Sequence, residues 1–179
     1  MGEALGLEPG VVRLDEPDTR WPALFAAERE RILRFCGSLT IRLEHVGSTS
    51  IPGLCAKPIL DIAAGRAPDS ALPDGIEALV RAGYEHRGER GVPGREFFCR
   101  GEPRAYHLHL VVEGGPLWRD YLAFRDYLRT HPEAAHGFAE AKRALAARFS
   151  GDREAYTRAK ASHVEAVLRL ARAARGSAR

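Results

Sequence analysis

The most constraining feature of the sequence is a turn-rich segment, HVGSTSIPGLCAKPILDI at residues 45–62, which lies between two strand-like runs. TIRLEHV at 40–46 alternates apolar and polar residues, and PILDIAAG at 58–65 is mostly apolar. Alternation of period two predicts a half-buried strand, and a short apolar run bounded by turn residues predicts a buried one. The chain is therefore expected to join two strands through a loop rich in glycine and hydroxyl residues.

The second of these strands carries a single carboxylate, Asp61. Side chains alternate along a strand, so Asp61 shares a face with Ile59 and Ala63 and opposes Leu60 and Ile62. An aspartate within an apolar strand is costly to bury unless it is paired or bound to a metal ion. We interpret Asp61 as a site residue, with a turn cap or an arginine pair as the alternative.

The loop itself has the composition of a phosphate-binding turn. Gly47 permits close approach of a ligand to the backbone, and Ser48 and Thr49 add hydroxyl groups. Lys57 places a cation just before the next strand. These four residues are predicted to contact a phosphate group, with a plain structural turn as the alternative.

The remaining hydrophobic pattern predicts an α+β fold in a single domain over residues 1–179. Strands and helices mix over about residues 10–115, and helices alone follow over about 116–175 and pack on this core. The further predicted strands are VVRL at 11–14, REFFCR at 95–100 and AYHLHLVVE at 105–113. The predicted helices begin near residues 21, 73, 116, 132 and 152.

The composition of the chain limits the membranes, compartments and charged partners with which it is compatible. No apolar run approaches the roughly 20 residues of a membrane-spanning helix, and the start of the chain lacks a signal-peptide pattern. The three scattered cysteines fit a reducing compartment, so a cytoplasmic location without a membrane partner is expected. The segment from 140 to 179 carries a net charge of +6, in a chain whose net charge is +3.

This basic segment favours an anionic partner, or it is an ordinary solvated helix face. Nucleic acid is not expected as a partner, because Tyr156 is the only aromatic residue after Phe149 and base stacking is therefore poorly provided for. A nucleotide or another phosphorylated small molecule is the expected ligand. The oligomeric state stays open.

The segment LEHVGSTSIPGLCAKPILDI resembles the signature of the GrpB family. The resemblance extends over about residues 10–170, because GREFFCRG, RAYHLHLVV, FRDYLRTHPEAA, FAEAKRALA and YTRAKASHVEAVL also match that family. It implies a nucleotidyltransferase-like fold, in which helices flank a mixed β-sheet core. It does not settle the activity, because the family resemblance does not specify one.

In nucleotidyltransferases a hydrophobic residue, a Gly and a Gly or Ser precede a strand with two acidic residues one position apart. Val46, Gly47, Ser48 and Asp61 match this pattern, but Ala63 occupies the second acidic position. Two carboxylates on one strand face hold the Mg²⁺ ions that bridge a triphosphate. The resemblance therefore implies an NTP substrate with Mg²⁺ or Mn²⁺, while Ala63 leaves the carboxylate pair incomplete.

Two histidines are candidates for the missing ligand. His107 and His109 lie two positions apart in YHLHLVV, so both project from one strand face. Together with Asp61 they are predicted to hold a metal ion or to bind phosphate, and Glu44 is a further candidate metal ligand. Asp61 and His109 are the predicted catalytic residues. The alternative is a histidine pair on a half-exposed sheet face.

Basic residues elsewhere are predicted to bind phosphate, or they are solvated side chains. The set comprises Arg95, Arg104, Arg125, Lys142 and Lys160, of which the resemblance favours the last three. Three functions remain open at this point: nucleotidyl transfer to a small-molecule acceptor, non-catalytic binding of a nucleotide or coenzyme phosphate, and metal-dependent hydrolysis at the histidine pair. The resemblance also extends to domains attached to dephospho-CoA kinases.

Overall fold

The computed structural model describes residues 5–37, 39 and 41–177, which form a five-stranded mixed sheet with helices on both faces. In chain order the elements are α1 Trp21–Cys36, β1 Ile41–Val46, β2 Leu60–Arg66, α2 Leu72–Arg81, β3 Glu85–His86, β4 Glu96–Arg100, β5 Tyr106–Val112, α3 Pro116–Thr130, α4 Pro132–Arg148 and α5 Arg153–Ser177. A short 3₁₀ turn, Ser48–Ser50, directly follows β1.

The strand order β1-β2-β5-β4-β3 places β2 and β5 side by side in the sheet. They run parallel, and the other neighbouring strands are antiparallel. This register pairs Asp61 with Val46 on one side and with His107 on the other. It pairs Ala63 with Glu44 and with His109. Residues that are far apart in sequence are thereby brought to one face of the sheet.

The opposite face of the sheet is the main hydrophobic core. Leu43, Ile62, Leu108 and Phe98 project from four strands and pack against α1 and α2 in one buried cluster. Alternation along β2 and β5 separates these apolar side chains from Asp61, His107 and His109. The two-residue alternation of the sequence therefore places the apolar side chains of these strands on the core face and their polar side chains on the opposite face.

The C-terminal helices cover the polar face. Trp118 of α3 packs against Val46, Ala63 and Val111. Side chains of α3, α4 and α5 form a second buried cluster with Ile51 and Leu54, which follow the 3₁₀ turn. The middle of the turn-rich segment thus packs against the helical layer, while its two ends belong to β1 and β2.

The predicted α+β class and the packing of the C-terminal helices on the sheet are confirmed. The expected strand at 11–14 is wrong, because these residues form no strand and only the next residue, Asp15, makes an isolated bridge, to Ala56. The two-residue strand Glu85–His86 carries no alternating apolar pattern and was not predicted. No helix in the described part of the chain is long and apolar enough to cross a membrane.

Candidate functional site

The centre of the polar face is a hydrogen-bonded chain from Asp61 through His107 to Arg153. His107 Nδ1 lies 3.1 Å from Asp61 Oδ1, and Arg153 Nη2 lies 3.2 Å from His107 Nε2. A guanidinium group only donates, so His107 Nε2 accepts and Nδ1 carries the proton that it donates to Asp61. Burial lowers the pKa of His107 to about 4, which agrees with this neutral imidazole.

Asp61 is the acceptor on which both histidines converge. His109 Nε2 lies 3.4 Å from the same Oδ1 atom. Burial opposes ionisation of Asp61, but hydrogen bonds from His107 and His109 outweigh it and hold the pKa of Asp61 well below its usual range. The site therefore contains a permanent carboxylate at neutral pH.

Asp61, His107 and Arg153 line a pocket of about 400 Å³ between the sheet and α5. Its lining includes seven cationic side chains, and Asp61 is its one acidic residue among those that the structure describes. The cations are Lys57, Arg90, Arg95, Arg104, Lys142, Arg153 and Lys160. So strong an excess of positive charge in a concave site favours an anionic ligand.

All three lysines of the protein line this pocket. Burial, together with the charges of Lys160 and Arg153, lowers the pKa of Lys57 to about 7. Burial likewise lowers the pKa of Lys142 to about 7, although its ammonium group donates a hydrogen bond to the Cys55 carbonyl. Because burial makes charging these amines unfavourable, a bound anion would stabilise their protonated forms.

The ring of Tyr156 contacts two of the lysines. The ammonium nitrogens of Lys57 and Lys160 lie 5.2 Å and 5.9 Å from the centroid of its ring. At these distances an aromatic ring attracts a cation. Tyr156 is 1% exposed, so it is a fixed floor of the pocket. Its ring is therefore a cation–π partner for both lysines.

The arginines of the pocket contain donors that no other group satisfies. Among the residues that the structure describes, Arg95 Nε and Arg153 Nη1 are buried polar atoms without a hydrogen-bond partner. His109 Nδ1 is the third such atom, and it belongs to the same pocket. Leaving a buried donor unsatisfied costs about 1–3 kcal/mol, and more for a charged group, so the two arginine atoms mark a place for an acceptor.

The loop after β1 approaches Asp61 at its glycine. Gly47 has φ +68°, and a Cβ atom at this position would lie 2.5 Å from Asp61 Oδ2. Of the three hydroxyl groups that follow, Ser50 donates to the Gly47 carbonyl, and Thr49 Oγ1 lies 2.9 Å from His45 Nε2. Ser48 and Thr49 both line the pocket.

The structure brings most of the predicted site residues together but leaves two outside. Asp61, His107, His109, Ser48, Thr49, Lys57, Arg95, Arg104, Lys142 and Lys160 all line the pocket, and Gly47 adjoins Asp61. Arg125 Nη1 instead lies 2.7 Å from Glu44 Oε2 and also donates to the His45 carbonyl. Glu44 receives a second arginine, Arg42. Neither Glu44 nor Arg125 is among the residues that line the pocket.

The residues present do not fit a resident Mg²⁺ or Mn²⁺ ion. In the described ranges, no group of three or more His, Cys, Asp or Glu side chains is arranged to hold a metal. Hard cations prefer several oxygen ligands, whereas Asp61 is one carboxylate among cationic side chains and His107 Nδ1 already donates to it. Ala63, where a second carboxylate would stand, is fully buried against Trp118.

Sequence reasoning missed Arg90, Arg153 and Phe97 as pocket residues and left Tyr156 without an assigned role. For α5 a signal existed, because Arg153, Tyr156, Thr157 and Lys160 follow the spacing i, i+3, i+4, i+7 of a single helix face. All four line the pocket. Arg90 has no such signal, because it lies in the irregular segment between β3 and β4.

A mixed sheet that carries helices on both faces and a cationic pocket over a single carboxylate defines an α+β protein with a candidate anion-binding site. The chain belongs to the GrpB family: the family model described as GrpB protein matches residues 11–170. The crystal structure of the conserved protein GrpB from Enterococcus faecalis superposes with a TM-score of 0.80 and 28% identity. That match covers 89% of this chain and 96% of the other. The predicted family resemblance is thus confirmed.

Curated relatives agree with this membership. A UPF0157 protein of Pseudomonas aeruginosa is 42% identical over 88% of this chain and 66% of its own length. The UPF0157 protein YqkA of Bacillus subtilis is 39% identical over 72% of this chain and 38% of its own length. The chain therefore spans less than two thirds of the length of these two relatives.

A remote structural likeness also exists to a cytoplasmic RNA terminal U-transferase. The TM-score is 0.40 and the identity 13%, and the match covers 73% of this chain and 41% of the other.

Proposed function

We propose that this protein binds a phosphorylated small molecule of the nucleotide or coenzyme class in the cationic pocket. The observation that carries the proposal is the pair of buried, unsatisfied guanidinium donors in the described part of the pocket, Arg95 Nε and Arg153 Nη1. Phosphate oxygens accept from guanidinium groups in charge-assisted hydrogen bonds, which are among the strongest in proteins. A phosphate group in this pocket would bring such acceptors to the guanidinium groups that line it.

The three lysines support the same ligand. Lys57 and Lys160 lie over Tyr156, and Lys142 is 2% exposed at the back of the pocket. Four guanidinium groups already exceed what one carboxylate neutralises, and a bound anion would also favour the ammonium forms of the three lysines, so a ligand with more than one negative charge is favoured. A pocket of about 400 Å³ is in the size range of small-molecule sites.

Binding without catalysis is the better supported form of this function. Nucleotidyl transfer by the usual mechanism needs two metal-holding carboxylates, and this chain presents Asp61 with Ala63 beside it. The His107 imidazole is engaged at both nitrogens, by Asp61 and by Arg153. The second candidate, transfer of a nucleotidyl group to a small-molecule acceptor, is favoured by the match of Val46, Gly47, Ser48 and Asp61 to the nucleotidyltransferase pattern.

Titration calorimetry of the full chain with pyrophosphate, tripolyphosphate and ATP, in the presence of EDTA, tests the proposal. We expect binding without a divalent metal, and about tenfold or greater weakening in Arg153→Met, because one charge-assisted contact is lost. Arg169→Met is the matched control, since Arg169 is exposed on the same helix, and its affinity should stay within about twofold of wild type.

Two results would overturn the proposal. One is the absence of binding by all three anions at low ionic strength. The other is equal weakening in Arg153→Met and Arg169→Met, which would indicate a general charge effect in place of a built site. Release of pyrophosphate from a nucleoside triphosphate upon addition of Mg²⁺ or Mn²⁺ would favour the second candidate, nucleotidyl transfer.

A further inference from the structure

A second pocket, of about 310 Å³, adjoins the cationic pocket on its α3 side. Its walls are mainly apolar and come from the sheet and all three C-terminal helices. The apolar lining comprises Val46, Leu117, Tyr121, Phe124, Phe138, Val164 and Leu168. Asp120 also lines it, but its carboxylate is paired with Arg172 at 2.9 Å. Apart from Val46, these apolar residues are not among those assigned above to phosphate binding or to the nucleotidyltransferase pattern.

Ser48, Asp61, His109 and Lys160 line both pockets, so these side chains form the boundary between a cationic half and an apolar half. A ligand whose phosphate lies near Lys160 and whose remaining part passes this boundary would reach Leu117 and Val164. An inorganic anion would leave that half empty.

His109 places a hydrogen-bond acceptor at the boundary between the two pockets. Its Nε2 atom faces Asp61 Oδ1 at 3.4 Å, and a carboxylate only accepts, so in the neutral ring the proton lies on Nε2. Nδ1 is then an acceptor, buried and without a partner in the described part of the chain. The ring is held between Phe97 and Tyr121, with centroids 5.3 Å and 5.0 Å away, so it cannot turn freely toward another donor.

We propose that the apolar pocket binds the organic part of the ligand, so that the natural ligand is a phosphate ester with an apolar or aromatic group and a hydrogen-bond donor near the ester linkage. The inference rests on the proposed function, because the phosphate is what places the ligand at the boundary. The hydroxyl or N–H group of the ligand donates to His109 Nδ1. Leu117, Tyr121, Val164 and Leu168 bury its apolar group.

The test is a series of phosphate monoesters of equal charge, methyl phosphate, phenyl phosphate and 1-naphthyl phosphate, titrated into the full chain alongside pyrophosphate. We expect affinity to increase about tenfold or more from methyl to 1-naphthyl phosphate, because the larger groups bury more apolar surface. Val164→Phe fills the apolar pocket and should abolish that increase while the pyrophosphate affinity stays within about twofold of wild type. Leu170→Phe is the control, since Leu170 is 51% exposed on the same helix.

The outcomes separate this inference from the proposed function. Equal affinity for the three monoesters, with pyrophosphate still bound, would overturn the apolar subsite and leave the phosphate site standing. An affinity gain that survives in a folded Val164→Phe protein would overturn it as well. Failure of pyrophosphate and all monoesters to bind would overturn both proposals. Thermal unfolding of each variant shows that the comparison is made between folded proteins.

Discussion

Gly47 lies so close to Asp61 that a side chain at position 47 would clash with the carboxylate. A Cβ atom at Gly47 would lie 2.5 Å from Asp61 Oδ2 and 2.9 Å from Asp61 Cβ, and Gly47 also has a positive φ of +68°. The loop after β1 therefore closes directly over the carboxylate, and Asp61 in turn orients His107. Glycine is required here by both backbone conformation and contact.

Replacing Gly47 with alanine should separate these two requirements. Gly53 is a control for positive φ without a contact, because it has φ +76° and no atom within 4 Å of its would-be Cβ, and Gly53→Ala is expected to cost about 1–2 kcal/mol. Gly47→Ala is expected to lower the free energy of unfolding by at least about 3 kcal/mol, because it adds a steric clash. Chemical denaturation of both variants measures the difference, and equal destabilisation would contradict the contact argument.

Asp61→Asn should change stability and anion binding in opposite directions. The carboxylate partly offsets the surrounding cations, so its loss is expected to lower the melting temperature of the ligand-free protein. The same loss removes repulsion of a bound phosphate, and pyrophosphate should bind about three- to tenfold more tightly, in keeping with roughly 1 kcal/mol for one nearby charge. A loss of pyrophosphate affinity in the folded variant would indicate that Asp61 acts through a metal ion or contacts the ligand directly.

The sequence carried enough information to predict the strands and the polar face. Alternation in LEHV, ILDIA and YHLHL separates apolar from polar side chains, so Asp61, His107 and His109 could be assigned to one face before their strands were known to be neighbours. The parallel pairing of β2 with β5 is a long-range contact that no local pattern encodes. The tautomer of His107 was beyond prediction for the same reason, because it depends on Arg153 from a distant helix.

The roles of individual charges were harder to predict. Arg125 and Glu44 each look like site residues in the sequence, yet the register of β1 with β2 and the packing of α3 bring them to each other. Lys142 lies 85 positions after Lys57, and only the packing of α4 on the loop places both in one pocket. Ion pairing satisfies a charge as well as a ligand does, and a single sequence does not distinguish the two.

The stability of the ligand-free protein should rise with pH above neutrality. Lys57 and Lys142 have pKa values of about 7 in the folded protein, against an ordinary value of 10.5, because burial disfavours their charged forms. Between pH 7 and 10 the unfolded chain therefore holds protons that the folded protein has released, and the free energy of unfolding increases with pH. Each lysine contributes at most about 1.4 kcal/mol per pH unit. Denaturation at pH 7 and 9 without multivalent anions measures the slope, and Lys57→Met should reduce it.

Anion binding should take up protons near neutral pH. A bound polyphosphate favours the ammonium forms of Lys57 and Lys142, so their pKa values rise from about 7 and the complex binds more protons than the free protein. Affinity for pyrophosphate is therefore expected to fall as the pH increases from 7 to 9. Calorimetry in two buffers of different ionisation enthalpy measures the uptake. Lys142→Met should reduce it, and identical heats in both buffers at pH 7.5, once ligand ionisation is subtracted, would contradict the prediction.

Glu44→Gln should destabilise the protein without affecting the phosphate site. Glu44 accepts from Arg125 at 2.7 Å, and the side chain of Arg125 is 11% exposed. The substitution leaves this mostly buried guanidinium with Asp126, whose side chain is 48% exposed, as its remaining carboxylate partner. We expect a loss of about 1–3 kcal/mol in the free energy of unfolding, the range for a charged hydrogen bond. Glu77→Gln is the matched control, because Glu77 and Arg81 form an exposed pair whose loss should stay within about 0.5 kcal/mol. The affinity of folded Glu44→Gln for pyrophosphate should equal that of wild type within about twofold, since Glu44 lies outside the pocket lining.

A divalent-metal requirement for ligand binding that disappears in Glu44→Gln would instead assign this carboxylate to a metal site and contradict its role as a partner of Arg125.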